Sequence, residues 1–234
     1  MLVFSDGSTV GTIGGGAAEY QAAIHAKALL TEGRSETRTY NMAPKGGTGM
    51  ICGGTVEVLF QYIAPGDTQI LEALEKEPAD RVLLFGAGHV GQALVPVLTQ
   101  ADFSVVVWDD RNGIPTPPGA CAMHCGPYEG ALERLGPVTA EDYVVVMTHG
   151  HQDDYEILSQ VLRTPAKYIG CIGSRGKAAA VRERLLAAGF TPEDVARVHS
   201  PIGLPIGGET PGEIAVSVAA QLIACRSGRL EAFS

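Results

Sequence analysis

The chain has 234 residues, 45% of them hydrophobic and 18% charged, and a net charge of −9. That length and apolar content allow one large or two modest well-filled domains and exclude intrinsic disorder. No lysine/arginine run is available to neutralise a duplex backbone, so nucleic acid is excluded as a partner, and no apolar stretch is long enough to span a bilayer.

The segment "LVFSDGSTVGTI" predicts two strands around an Asp6-Gly7 turn. "AAEYQAAIHAKALLTEG" has helical periodicity and stops at Gly33. "SETRTYNM" and "TVEVLFQYI" alternate as strands do. Residues 1–66 are therefore expected to form a small glycine-rich α+β domain. It opens abruptly on a strand, so its start is expected to be truncated relative to the complete fold; no signal-peptide pattern precedes it. "PGDTQILEALEKEPAD" predicts a short connecting helix over 67–79.

From Arg81 the texture changes to alternating βα units. "RVLLFG", "FSVVVWDD", "EDYVVVMTH" and "AKYIGCIG" read as strands. "HVGQALVPVLTQA", with Pro96 as an expected kink, "RGKAAAVRERLLAAG" and "TPGEIAVSVAAQLIACRSG" read as helices. The fold class expected is α/β: over 80–234 a Rossmann-like parallel sheet with helices on both faces, beside the smaller N-terminal domain.

Glycine is about twice as common as usual, and it clusters. "KGGTGMICGGTVEV", residues 45–58, sets Cys52 among five glycines, including Gly53 and Gly54. Little side-chain bulk is there to bury that thiol, which points to reaction or soft-metal binding; the bland alternative is a packed small hydrophobe. The other four cysteines are scattered, the total is odd, and Cys121-x-x-x-Cys125 lacks metal-knuckle spacing. This reads as reduced thiols in a cytoplasmic protein.

"GAGHVG" (Gly86, Gly88, His89, Gly91) follows a strand, opens a helix, and has Asp109 about twenty residues on, at the end of the next strand. It is a candidate NAD(P) or phosphate loop; the alternative is a tight βα turn without a ligand. "THGHQDD" supplies His149, His151, Asp153 and Asp154 after a strand, approaching the H-x-H-x-D-H pattern of metallohydrolases but with Asp154 in place of the last histidine. Metal ligation, polar ligand contacts and helix capping all remain open for it. "GCIGSRGKAA" nearly spells a Walker A loop, with Ala178 where Ser/Thr would hold Mg²⁺; Ser174, Arg175 and Lys177 form a candidate phosphate grip or an ordinary capped helix. "HSPIGLPIGGETPGEIA" packs three prolines and four glycines into a stiff loop before a helix.

Taken together, "GTIGGG…E" (with Glu19), "GMICGGTVEV", "LLFGAGHVG", "VVVMTHGHQDD", "YIGCIGSRGK" and "HSPIGLPIGGETPGEIAVSVAAQLI" resemble the XdhC/CoxI family over nearly the whole chain. The resemblance implies an accessory factor of xanthine dehydrogenase that holds and shields the molybdenum cofactor. Such a factor assists sulfuration of the cofactor with a cysteine desulfurase and delivers it to a molybdenum hydroxylase client. It also implies a homodimer, and it carries the family's C-G-G cysteine onto Cys52 as a molybdenum contact. A second family cysteine falls on Ala17 here. Molybdopterin needs a soft ligand, amide donors for its phosphate and polar groups for its pterin edge. Cys52, the 86–91 or 174–177 loops, and the 149–154 run offer these in turn. An NAD(P)-dependent oxidoreductase, a metallohydrolase on His149 and His151, and a nucleotide-sensing Rossmann protein are the rival readings.

Overall fold

The computed structural model describes residues 1–41, 55–67, 69–70 and 80–233. Contacts divide the chain into two compact units, Met1–Glu77 and Pro78–Ser234. Cys52, Gly53, Gly54 and most of the expected connecting helix lie outside the described residues.

In the first unit, β1 (Leu2–Val3) and β2 (Thr9–Val10) form an antiparallel pair across the turn at Gly7. Helix α1 (Gly16–Glu32) ends at Gly33, whose left-handed backbone lets its N–H return to the Leu29 carbonyl. Strands β3 (Glu36–Asn41) and β4 (Thr55–Phe60) pair antiparallel. Ala22 and Leu29 of the helix pack with Tyr40 and Phe60 of the strands to form the core. Glu19 gathers the glycine-rich entry to α1, its carboxylate accepting from Ile13 N–H at 2.8 Å, Gly15 N–H at 3.1 Å and the Thr12 hydroxyl. Those bonds, the Thr12 hydroxyl first, hold its carboxyl below the usual carboxylate range.

The second unit is built on a six-stranded sheet. Its strands are β5 (Arg81–Phe85), β6 (Ser104–Asp109), β7 (Ala122–Cys125), β8 (Tyr143–Val146), β9 (Tyr168–Cys171) and β10 (Val198–His199). Read across the sheet the order is β7-β6-β5-β8-β9-β10, and every neighbouring pair is parallel. This is the Rossmann strand order, with β5 central and the winding reversed between β5 and β8. The run "VLLF" is wholly buried because the sheet is covered on both sides. Val82 and Leu84 face one core with α2 (His89–Gln100) and α7 (Pro211–Arg226). Leu83 and Phe85 face the other, with α3 (Ala131–Leu135), α4 (His151–Val161) and α5 (Arg175–Ala187). A short α6 (Pro192–Ala196) leads into β10.

Helix α2 continues through Pro96 to Gln100. Helix α7 starts on a capping box: the Thr210 hydroxyl accepts from Glu213 N–H, the Glu213 carboxylate accepts from Thr210 N–H, and Pro211 fills the first turn. Strand β7, helices α3, α4 and α6, and strand β10 are elements that the sequence patterns did not mark. No helix among the described residues is long and apolar enough to cross a membrane.

Candidate functional site

The carboxyl ends of β5 and β8 meet where the winding of the sheet reverses, the place where open α/β sheets form a ligand crevice. Their two loops touch. Gly86 has φ of 111°, and a Cβ there would run into the Met147 carbonyl. Gly91 is equally constrained, because a Cβ would strike the Gly86 carbonyl where α2 packs on the turn. Gly88 differs. It is the N-cap of α2 with φ −68° and ψ −169°, and a Cβ there would have only Arg111 Nη2 nearby, at 3.8 Å. The first and third glycines of GAGHVG therefore serve packing, while the second leaves backbone open to an approaching group.

Helices α2 and α4 both begin here, on Gly88 and Gly150, with no side-chain cap. Helices α5, α6 and α7 are each capped, by Ser174, Thr191 and Thr210, while the five-residue α3 also starts without a side-chain cap, on Gly130. The first-turn amides of α2 and α4 thus turn partial positive charge toward the sheet mouth, offset at α4 by the acids of its own first turn.

Two buried carboxylates set the loops. Asp109 is 0% exposed and accepts from Ala87 N–H at 2.7 Å, from Arg111 N–H at 3.0 Å and from the Arg111 guanidinium at 2.9 and 2.8 Å. Burial alone would raise this carboxyl; the Arg111 and Ala87 hydrogen bonds outweigh it and hold it below the usual carboxylate range. Both oxygens are engaged within the chain, so the strand-end acid of the candidate NAD(P) loop clamps the glycine turn itself. Asp154, also 0% exposed, accepts from the Thr148 hydroxyl at 2.6 Å and from Thr148 N–H at 3.3 Å. Its other oxygen pairs with the Lys177 ammonium.

Of the candidate residues, Gly86, Gly88, Gly91, Asp109, His149, Asp153, Asp154 and Lys177 are joined around these loops by the contacts above and by the grouping of His149 with Asp153. His89 and His151 are exposed first residues of α2 and α4. Ser174 is the N-cap of α5, accepting from Lys177 N–H at 3.3 Å. Arg175 lines a separate cavity of about 270 Å³ with Arg182, Ser200 and Pro201. Cys52, Gly53 and Gly54 are not among the described residues. Asp110 and Arg111 escaped the sequence reading, although the doubled acid followed by arginine in "WDDR" was the available signal.

The model of the XdhC Rossmann domain matches residues 82–222, and that of the XdhC and CoxI family matches residues 1–41. The chain is 31% identical over 229 residues to the uncharacterized protein YqeB of Escherichia coli, covering 95% of this chain and 39% of that protein. It is 34% identical over 158 residues to a Bacillus subtilis protein described as a probable xanthine dehydrogenase subunit, covering 64% of this chain and 44% of that one. It therefore spans less than half the length of either curated relative. A crystal structure described as a xanthine dehydrogenase from Bacillus halodurans superposes with a TM-score of 0.75 at 25% identity, covering 99% of this chain and 87% of that one. With the Rossmann model extending from β5 into α7 and the companion model over residues 1–41, the chain belongs to the XdhC/CoxI family.

Proposed function

We propose that this protein binds the molybdenum cofactor, protects it, assists its sulfuration and delivers it to a xanthine dehydrogenase-type molybdenum hydroxylase. Family membership supports the reading, as does the likeness to proteins described as xanthine dehydrogenases. The structural observation that carries it is the pair of uncapped helix starts at Gly88 and Gly150, beside a glycine whose backbone is open to a guest. Backbone amides at a helix start suit the phosphate of a pterin guest. His149 and Asp153 provide polar groups for a pterin edge, and Cys52 is the thiol assigned to molybdenum or to sulfur relay. A cysteine desulfurase, a homodimeric assembly and a cytoplasmic setting belong to the same reading.

The test is anaerobic purification with molybdenum and pterin quantified, followed by activation of an apo-hydroxylase. Wild type should carry both in equal amounts, while Cys52→Ala should lose cofactor or fail to activate. A Cys52→Ala variant that retains cofactor and activates as wild type removes the role given to that thiol.

A dinucleotide is the second reading, favoured by the Rossmann strand order and the GAGHVG loop. The commitment of Asp109 to Ala87 and Arg111 weighs against it. Thermal-shift titrations separate the two, because the true ligand raises the melting temperature with its concentration. NAD(H) or NADP(H) does so under the second reading, molybdopterin under the first.

A further inference from the structure

We infer that Asp110, His149 and Asp153 form a binding site for a divalent first-row cation at the mouth of the sheet. One ligand atom from each lies within 4.8 Å of the other two. Asp110 Oδ1 and His149 Nδ1 are 3.8 Å apart, too far for a hydrogen bond. That separation suits two ligands of one ion, because bonds of about 2.0–2.2 Å put ligand atoms roughly 3–4 Å apart.

The independent observation is at Asp110. Its Oδ1 is buried and has no hydrogen-bond partner among the described residues. The Asp110 side chain as a whole is 30% exposed, with Oδ1 turned inward toward His149, and an ion seated between the two would give that oxygen the partner it lacks. No lysine or arginine among the described residues pairs with Asp110 or Asp153, because Arg111 is committed to Asp109 and Lys177 to Asp154.

The backbone under the three ligands is fixed. Asp110 follows the clamped Asp109, His149 follows the buried Thr148, and Asp153 precedes the buried Asp154. Gly150 completes the arrangement: a Cβ there would stand 2.5 Å from Asp153 Oδ2, so the glycine leaves room for that carboxylate to fold back over the loop. Two carboxylates and an imidazole suit Mn²⁺, Fe²⁺ or Zn²⁺. Without an ion, the uncompensated acids oppose any phosphorylated guest. With one, the two carboxylates are neutralised, and the ion's open coordination positions can bridge protein to phosphate. The bridging step rests on the proposed function; the site itself does not.

The test titrates the full chain with Mn²⁺ alone, following free Mn²⁺ by electron paramagnetic resonance. The expected result is one saturable site in wild type, weakened at least tenfold by Asp110→Asn, His149→Ala and Gly150→Ala and unchanged by Glu183→Gln on the exposed face of α5. In the folded wild-type protein, Mn²⁺ should broaden the amide resonances of Asp110 and of residues 149–153 first. Absence of a saturable site, equal affinity in every variant, or broadening centred elsewhere overturns the site. Inorganic pyrophosphate then probes bridging: it should bind more tightly with Mn²⁺ present than without, and metal-independent binding overturns that step.

Discussion

Lys177, in the first turn of α5, forms an ion pair with the fully buried carboxylate of Asp154, in the first turn of α4. The loop after β8 is tied to the loop after β9 through this contact and through the Thr148 hydroxyl on the other oxygen. Removing one partner of a buried pair costs more than removing both, because it leaves a charge without compensation. Lys177→Met should therefore destabilise the second unit by about 3–5 kcal/mol. Asp154→Asn should cost less, since the Lys177 side chain is 17% exposed and can turn to water. The double variant Asp154→Asn/Lys177→Met should recover part of the loss. Urea unfolding of the three variants measures this; a Lys177→Met protein as stable as wild type would refute it.

That pair shows where sequence reading stops. "RVLLFG" was legible as a buried strand because both its faces are covered, so its apolar run is unbroken. The end of α1 was legible from Gly33, because a left-handed terminus favours that residue. Strand β7 was not, since "AMHC" lies at the sheet edge, half exposed, and lacks either period. The start of α4 was hidden by chemistry: acids that favour a helix N-terminus also resemble metal ligands. The residue types at the sheet mouth could be read from the glycine and histidine runs. Their division of labour could not, because Asp109 meets Ala87 across 22 residues and Lys177 meets Asp154 across a helix.

The three glycines of GAGHVG should respond differently to alanine. Gly86→Ala places a side chain at φ 111° and against the Met147 backbone. It should cost more than about 2 kcal/mol. Gly88 has an extended backbone that alanine adopts freely, with only Arg111 Nη2 near the new methyl. Gly88→Ala should melt as wild type does and yet bind its guest more weakly, because the methyl occupies the approach to the amides of α2. Thermal unfolding paired with cofactor retention checks both halves. A Gly88→Ala protein with full cofactor content would show that no guest approaches that backbone.

The second unit should lose stability in mild acid through His199. Its ring stacks on Tyr168, with centroids 4.8 Å apart and planes within 5°. Burial pushes its pKa below the usual histidine value. The unfolded chain therefore takes up this proton first, near pH 6.5. The contribution of His199 is complete above about pH 6.5 and is lost as pH falls toward the depressed folded value. His199→Phe keeps a stacked ring and removes the titration. Urea midpoints at pH 7 and pH 5 should fall less in that variant than in wild type. An equal fall in both would assign the acid sensitivity to other groups.

Thiol chemistry should separate the cysteines by exposure. Cys121 and Cys125 are exposed, whereas Cys171 is buried at the end of β9. Burial, reinforced by the Asp154 charge, pushes the Cys171 thiol up to about 12. Burial also raises the half-buried Cys225. Iodoacetamide at pH 8 should modify Cys121 and Cys125 within minutes and leave Cys171 intact until the chain unfolds, because only an accessible thiolate reacts. A Cys121→Ser/Cys125→Ser protein then leaves Cys52 to be followed by mass spectrometry. If that thiol holds the metal–pterin guest, loading the guest should slow its alkylation several-fold relative to the empty protein. An alkylation rate unchanged by the guest would place Cys52 outside the binding site, whatever role the sheet mouth retains.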